Sequence, residues 1–344
     1  MPSLASTHTI NVYKSARDLP LEVWEAFHAH PRNSNIIYPH ASKAKQQSRS
    51  NPNVERDTWI VCTTPGGRGR SSSLDFVLSC TEGPLDSYPI FIFTPIPISH
   101  LDPNHYRPRL RGLIHALQEC VPPERVFSVF SLNPISRAFA DIWTHQTGIG
   151  LDDDPIYYEA KLTYCTKATL THIRPDVLQN TTYRLRLANE RDVPEAAKLC
   201  HGFAAVSEPF TLNKEQAIQE AAHLIRNKQL WVHDVMVSDF RSEIASIVAV
   251  TRTSETVASV TKVFTDPRWR HYGCAERLTR HVTQCLLESK DSVMLYVAHN
   301  NPAAAKVYHR VGFVGLAPGL GPVEGVDSWL ELGFDRNLVD LGHW

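Results

Sequence analysis

The stretch from Ser259 to Ala275, SVTKVFTDPRWRHYGCA, has the residue types and order to hold a diphosphate. A strand is predicted to end at Thr265, a turn follows at Pro267, and Gly273 and Ala275 open a helix. The first turn of a helix carries N–H groups with no internal acceptor and the positive end of the helix dipole, and both attract anions. Gly273 and Ala275 let a phosphate approach the backbone, while Arg268 and Arg270 bring charge. Taken alone, Arg270-x-x-Gly273-x-Ala275 more often marks a plain strand-to-helix turn with a small-residue cap.

A second run follows one helix later, LYVAHNNPAAAKVYHRVGF from Leu295 to Phe313. It predicts a short buried strand over Val293–Val297, then a helix with Pro302 in its first turn and Gly312 at its end. Together the two runs resemble the GCN5-related N-acetyltransferase (GNAT) superfamily. Its acetyl-CoA motif reads as a strand ending V-F/Y-V/T-x-P followed by R/Q-x-x-G-x-G/A, and its next motif as N-x-x-A-x-x-x-Y-x-x-x-G-F. The matching residues are Val263, Phe264, Thr265, Pro267, Arg270, Gly273 and Ala275, then Asn301, Ala304, Tyr308, Gly312 and Phe313. The resemblance covers about Thr181 to Trp344, and the paired motifs are far more specific than either alone.

The resemblance implies acetyl-CoA as co-substrate, no metal, and transfer of the acetyl group to an amine. The pantetheine arm would lie against Val263, Phe264 and Thr265, borrowing backbone hydrogen bonds as an added strand does. Amides around His271, Tyr272, Gly273, Cys274 and Ala275 would hold the diphosphate with Arg268 and Arg270, and Asn301 and Ala304 would meet the pantetheine. Tyr308 would lie near the thioester sulfur as a general acid. Two roles stay open for Tyr308, acid or core aromatic on the helix stripe, and two for Asn301, ligand contact or N-cap ahead of Pro302. An amine acceptor must also lose a proton, yet Val257 to Thr265 holds no carboxylate, where the family often places one. Glu208, His233, Glu255 and His299 are candidates, and none is assigned as the base. A small-molecule amine is the favoured acceptor, because no acidic trough or long basic stripe for a polypeptide is evident. The rivals are a peptide or protein N-acetyltransferase and a non-catalytic acyl-CoA-binding protein.

The elements that must position these residues read as a mixed α/β order. Strands are predicted over Tyr183–Leu187, Leu230–Val237, Ile244–Thr251, Val257–Thr265 and Trp329–Phe334, with helices from Glu195 to about Ala205, Lys214 to Asn227 and Gly273 to Ser289. The first half gives strands over Trp59–Thr63, Leu74–Cys80, Pro89–Phe93, Val126–Phe130 and Tyr157–Tyr164, with helices over Arg109–Cys120 and Pro134–His145. Polar, Pro-containing Asn33 to Asp57 reads as a long surface loop, and Pro65–Arg70 as a glycine-rich hairpin loop. Both halves share an order of elements. Phe93-Thr94 precedes Asn133-Pro134 as Phe264-Thr265 precedes Asn301-Pro302, with 39 residues from Thr94 to Asn133 and 36 from Thr265 to Asn301.

The fold expected is α/β (α+β), with tandem GNAT-like domains, each a mixed, mostly antiparallel sheet flanked by helices. The domains expected are 1–172, a linker at 173–182, and a catalytic domain at 183–344. The first half lacks R-x-x-G-x-A after Phe93-Thr94-Pro95 and has Ala140 seven residues beyond Asn133 in place of the tyrosine. It is therefore expected to be a worn copy that binds no coenzyme A and shapes the acceptor site.

Composition narrows the classes further. With 344 residues, 42% hydrophobic and 21% charged, the chain is long enough for two folded domains. Lys and Arg (35) balance Asp and Glu (36), so nothing draws a polyanion, and nucleic acid is not an expected partner. Apolar runs fall far short of the ~18 residues that cross a bilayer, so no membrane association is expected. Seven scattered cysteines without C-x-x-C, and a first segment unlike a secretory signal, fit a reducing cytoplasmic location.

Overall fold

The computed structural model describes residues 8–46, 57–66, 72–83, 86–171, 182–238, 241–319 and 321–343. The chain divides into two compact units, Met1–Glu159 with Asp327–Trp344, and Ala160–Val326.

The second unit carries the motifs. Its strands in chain order are the end of β6 (Leu151–Cys165), β7 (Tyr183–Leu187), β8 (Leu230–Ser238), β9 (Arg241–Thr253), β10 (Val257–Thr265) and β11 (Ser292–Ala298). They lie in the order β7-β8-β9-β10-β11-β6. Every neighbouring pair is antiparallel except β10 and β11, which run parallel. Helices α5 (Val193–Ala204) and α6 (Lys214–Arg226) follow β7. Alternation along β9 supplies the core on both faces. Ile247 and Ala249 pack with Ala196, Leu199 and Cys200 of α5. Val248 and Val250 pack with Leu278 and Val282 of α7 (Cys274–Leu287) and Tyr308 and Val311 of α8 (Pro302–Val311). Helix α8 ends at Gly312 with φ 116°, and a Cβ there would come within 2.1 Å of the Thr169 carbonyl oxygen. The Gly-Phe of the second motif is thus a left-handed helix stop pressed against backbone.

The first unit repeats this plan. Strands β1 (Thr9–Tyr13), β2 (Thr58–Thr64), β3 (Ser73–Cys80), β4 (Ile90–Phe93), β5 (Ser128–Leu132) and β12 (Ser328–Phe334) lie in that order. Only β4 and β5 pair in parallel. Helices α1 (Leu21–Ala29) and α2 (Tyr38–Gln46) follow the first strand, α3 (Pro103–Gln118) follows β4, and α4 (Asn133–Thr147) follows β5. The expected tandem of GNAT-like domains is the observed fold.

The division along the chain differs from the expected one. Sequence reading gives 1–172 and 183–344 to separate domains, but β12 pairs with β5, and Ala160 to Cys165 of β6 pair with β11. Each sheet therefore takes its last strand from the other half of the sequence. Hydrophobic patterning states which face of a strand is buried, not which edge it joins. Most of the linker expected at 173–182, and much of the hairpin loop at Pro65–Arg70, lie outside the described residues.

The expected surface loop Asn33 to Asp57 also needs correction. Tyr38–Gln46 is a helix, with Tyr38, Ala41 and Ala44 buried at helical spacing. Small alanines among Lys, Ser and Gln hide that stripe from a composition reading. Helix α3 begins at Pro103, ahead of the expected Arg109, and carries Pro108 inside it. Asp102 caps it by accepting from Asn104 N–H at 2.9 Å.

Candidate active site

The site begins as a parting of two parallel strands. β10 and β11 are paired from Val257–Ser292 to Val260–Leu295, after which both continue unpaired with one another among the described residues. The break coincides with an irregularity, since the register of β10 against β9 slips between Ser259 and Val260 and again between Val260 and Lys262. A bulge adds a residue to one strand, bends it and increases its twist. Beyond it β10 stays bonded to β9 and leaves its other edge without a strand partner among the described residues, where the Thr265 carbonyl accepts only a long bond from Arg270 Nε at 3.5 Å. Asp266 N–H donates to the Ala245 carbonyl of β9 at 3.0 Å. Backbone direction alternates along a strand, so the N–H and C=O of Thr265 and Val263 face the gap. These are the backbone groups the resemblance assigns to an extended amide-bearing ligand.

The bare edge leads into a helix end open to anions. Gly273 is the N-cap of α7 at φ 72°, and no side chain caps it. The first backbone bond of that turn is Arg277 N–H to Gly273 C=O at 3.0 Å, so the N–H groups ahead of it have no helical acceptor. His271 also has positive φ, 68°, which costs a non-glycine residue about 1–2 kcal/mol. Such strain gathers at ligand clamps. Tyr272 and Gly273 are exposed, Ala275 is half-buried, and Cys274 is buried with its thiol pKa raised by desolvation.

The two assigned arginines differ. Arg270 is exposed, with its guanidinium 5.7 Å from the Phe264 ring centre. Arg268 is bound by Asp266 at 2.9 Å and Glu243 at 3.0 Å. Its charge is thus shared with two carboxylates, which sequence spacing gives no way to foresee.

Asn301 caps α8, its Oδ1 accepting from Ala304 N–H at 3.0 Å. Tyr308 is a core residue, in one cluster with Val260, Leu295 and Phe313. Burial raises its phenol pKa above the ordinary tyrosine range, so the group is protonated at neutral pH.

The candidate bases do not converge. Glu208, Glu255 and His299 are exposed, while His233 is fully buried with its Nε2 engaged by Arg277 Nε at 3.3 Å. Sequence reading missed a charged pair on the α5–α6 face of the bare segment, where Lys262 Nζ meets Glu220 Oε1 at 2.6 Å. Both side chains are mostly buried. A lysine inside an otherwise uncharged strand was the signal, but its partner lies on another element 42 residues away.

In the first unit β4 and β5 also part, after Ile90–Val129 and Phe91–Phe130, but Ser131 Oγ of β5 donates to the Ile92 carbonyl at 2.7 Å. There β4 is fully buried along Ile90–Phe93 and shows no register slip against β3. Phe93 stacks edge-on against Phe27 with ring centres 5.3 Å apart. The end of α3 is closed by the Asp102 carboxylate, which takes up an N–H and repels anions. Ala140 is buried in α4.

Residues 240–317 match the family described as FR47-like protein. That segment contains every residue assigned above from Val263 to Tyr308. A GCN5-related N-acetyltransferase from Sphaerobacter thermophilus is similar in fold, at 12% identity and TM-score 0.55, covering 99% of this chain and 100% of its own. A protein from Drosophila is similar at 13% identity and TM-score 0.54, covering 95% and 98%. No curated protein matches the sequence. The chain has the tandem fold of the GNAT superfamily, and the resemblance read from its paired motifs holds. No helix among the described residues is long and apolar enough to cross a membrane.

Proposed function

We propose that the second unit transfers an acetyl or short acyl group from coenzyme A to the amine of a small molecule. The observation that carries this is the bulged, bare edge of β10 running into the uncapped N-terminus of α7. A strand edge suits amides, a dipole-bearing helix end suits a diphosphate, and here one follows the other along the chain. Val263 and Thr265 would bind the pantetheine by main chain. His271 to Ala275 would bind the diphosphate, with Arg270, whose Nε makes a long bond to the Thr265 carbonyl, the cation without a carboxylate within salt-bridge distance among the described residues and Arg268 neutralised in part. Asn301 would chiefly order the turn ahead of α8, with Ala304 beside it.

In the transfer an N–C bond forms at the acyl carbon while the C–S bond breaks, the amine loses a proton and the sulfur gains one. Tyr308 would hold the proton for the sulfur. The Lys262–Glu220 pair faces the side of β10 opposite α8, where it offers charge for positioning an acceptor.

Acetyl-CoA is expected to bind with a dissociation constant in the micromolar range, about 8 kcal/mol, at one equivalent per chain. Calorimetry checks both. No heat and no thermal shift at millimolar ligand would remove the reading, and two equivalents would overturn the worn-copy account of the first unit. Thiol release over an amine panel then separates an enzyme from a binding protein.

A further inference from the structure

We propose that Arg277 is a positioning residue for the diphosphate loop: held from behind by His233 and Tyr183, it pins the Tyr272 carbonyl inward and thereby aims the Gly273 N–H outward. The proposal rests on the reading above and adds a residue that lies outside both motifs.

The contacts are specific. Arg277 donates from Nε to His233 Nε2 at 3.3 Å, and from Nη2 to the Tyr272 carbonyl and to Cys274 Sγ at 3.7 Å. Its guanidinium lies 5.1 Å from the Tyr183 ring centre. Tyr183 in turn stacks on His233 at 4.8 Å and an interplanar angle of 26°. A guanidinium only donates, in a rigid fork, so every partner must accept and the plane is fixed at both ends. His233 therefore carries its proton on Nδ1. Desolvation first, then the Arg277 charge, push its pKa down to about 4, so this arrangement persists at neutral pH.

Peptide planarity links the brace to the ligand. The carbonyl of Tyr272 and the N–H of Gly273 belong to one trans peptide unit and point in opposite directions. Drawing the carbonyl toward Arg277 turns the N–H away from it, toward the side where an anion would sit. The same contact holds the loop in the left-handed turn at His271, which a free chain disfavours, and at Gly273, where glycine adopts it readily. A Cβ at Gly273 would lie 2.9 Å from Arg277 Nη1, so a side chain there would push the guanidinium out of the brace.

The test compares acetyl-CoA with acetyl-pantetheine, which lacks the diphosphate. Arg277→Gln and Arg277→Lys are both expected to weaken acetyl-CoA binding about ten- to a hundredfold, the value of a hydrogen bond to a charged group. Turnover of acetyl-pantetheine at saturating amine should stay within about twofold of the unsubstituted chain, since that substrate does not use the loop. His233→Phe keeps the stack on Tyr183 and the Arg277 charge, and is expected to weaken acetyl-CoA alone. It serves where the Arg277 variants fail to fold. Unaltered affinity in Arg277→Lys would overturn the brace, because charge alone would then suffice. Equal losses with both substrates would also overturn it, as a general packing role. If the unsubstituted chain binds no acetyl-CoA, the functional reading fails first, and this is a separate result.

Discussion

Gly273→Glu is expected to abolish acetyl-CoA binding at micromolar ligand while the protein stays folded. Gly273 sits in the left-handed region at φ 72°, where a side chain costs about 1–2 kcal/mol. That cost falls on the whole molecule and is small against a typical stability of about 5–15 kcal/mol. The new Cβ would crowd the movable end of Arg277 and not backbone, so the loop can yield without unfolding the helix. Binding suffers far more. A carboxylate at the helix end would occupy the N–H groups proposed to hold the diphosphate, as Asp102 does on α3 in the first unit. It would also repel a phosphate at ~4 Å by about 4 kcal/mol in surroundings of intermediate dielectric, close to a thousandfold. Calorimetry beside circular dichroism checks this. A folded variant with unaltered affinity would mean that the diphosphate lies elsewhere.

Tyr308→Phe is expected to lower turnover about 10²- to 10⁴-fold, the usual contribution of a general acid, with little change in coenzyme A affinity. The substitution keeps the ring that packs among Val260, Leu295 and Phe313 and removes only the hydroxyl. No hydrogen bond to that hydroxyl is found among the described residues, so stability should hardly change. The pH dependence has a definite sign. Burial disfavours the phenolate and raises the pKa above that of a free tyrosine, so the proton-bearing form persists to about pH 10 or beyond. Turnover should therefore show no alkaline fall from this group below that range. Full turnover in the variant at neutral pH would leave Tyr308 as a packing residue only.

The two units make the comparison informative. They share strand order, one parallel pair and helix placement, yet differ at three points that matter for a ligand: the bulge, the openness of the strand edge, and the helix cap. The glycine and the aspartate at the two caps can be read from sequence. Whether a bare edge is open or filled cannot, since the apolar pattern of Ile90–Phe93 and that of Val263–Thr265 suit either state.

What the sequence by itself determined was the local chemistry: a strand ending in a proline turn, an uncapped glycine at a helix start, Asn301 ahead of Pro302, and the glycine that stops α8. Each follows from the backbone preferences of residues adjacent in the chain. The tertiary structure alone decided what depends on partners far apart in sequence. It assigned β12 to the first unit and the end of β6 to the second, because a strand's alternation does not name its neighbour. It drew Arg268 to Glu243, Lys262 to Glu220 and Arg277 to His233. These pairings are set by the register of β8, β9 and β10 and by the seating of α6 and α7 upon them, quantities that arise only when the sheet has formed and its two faces have closed.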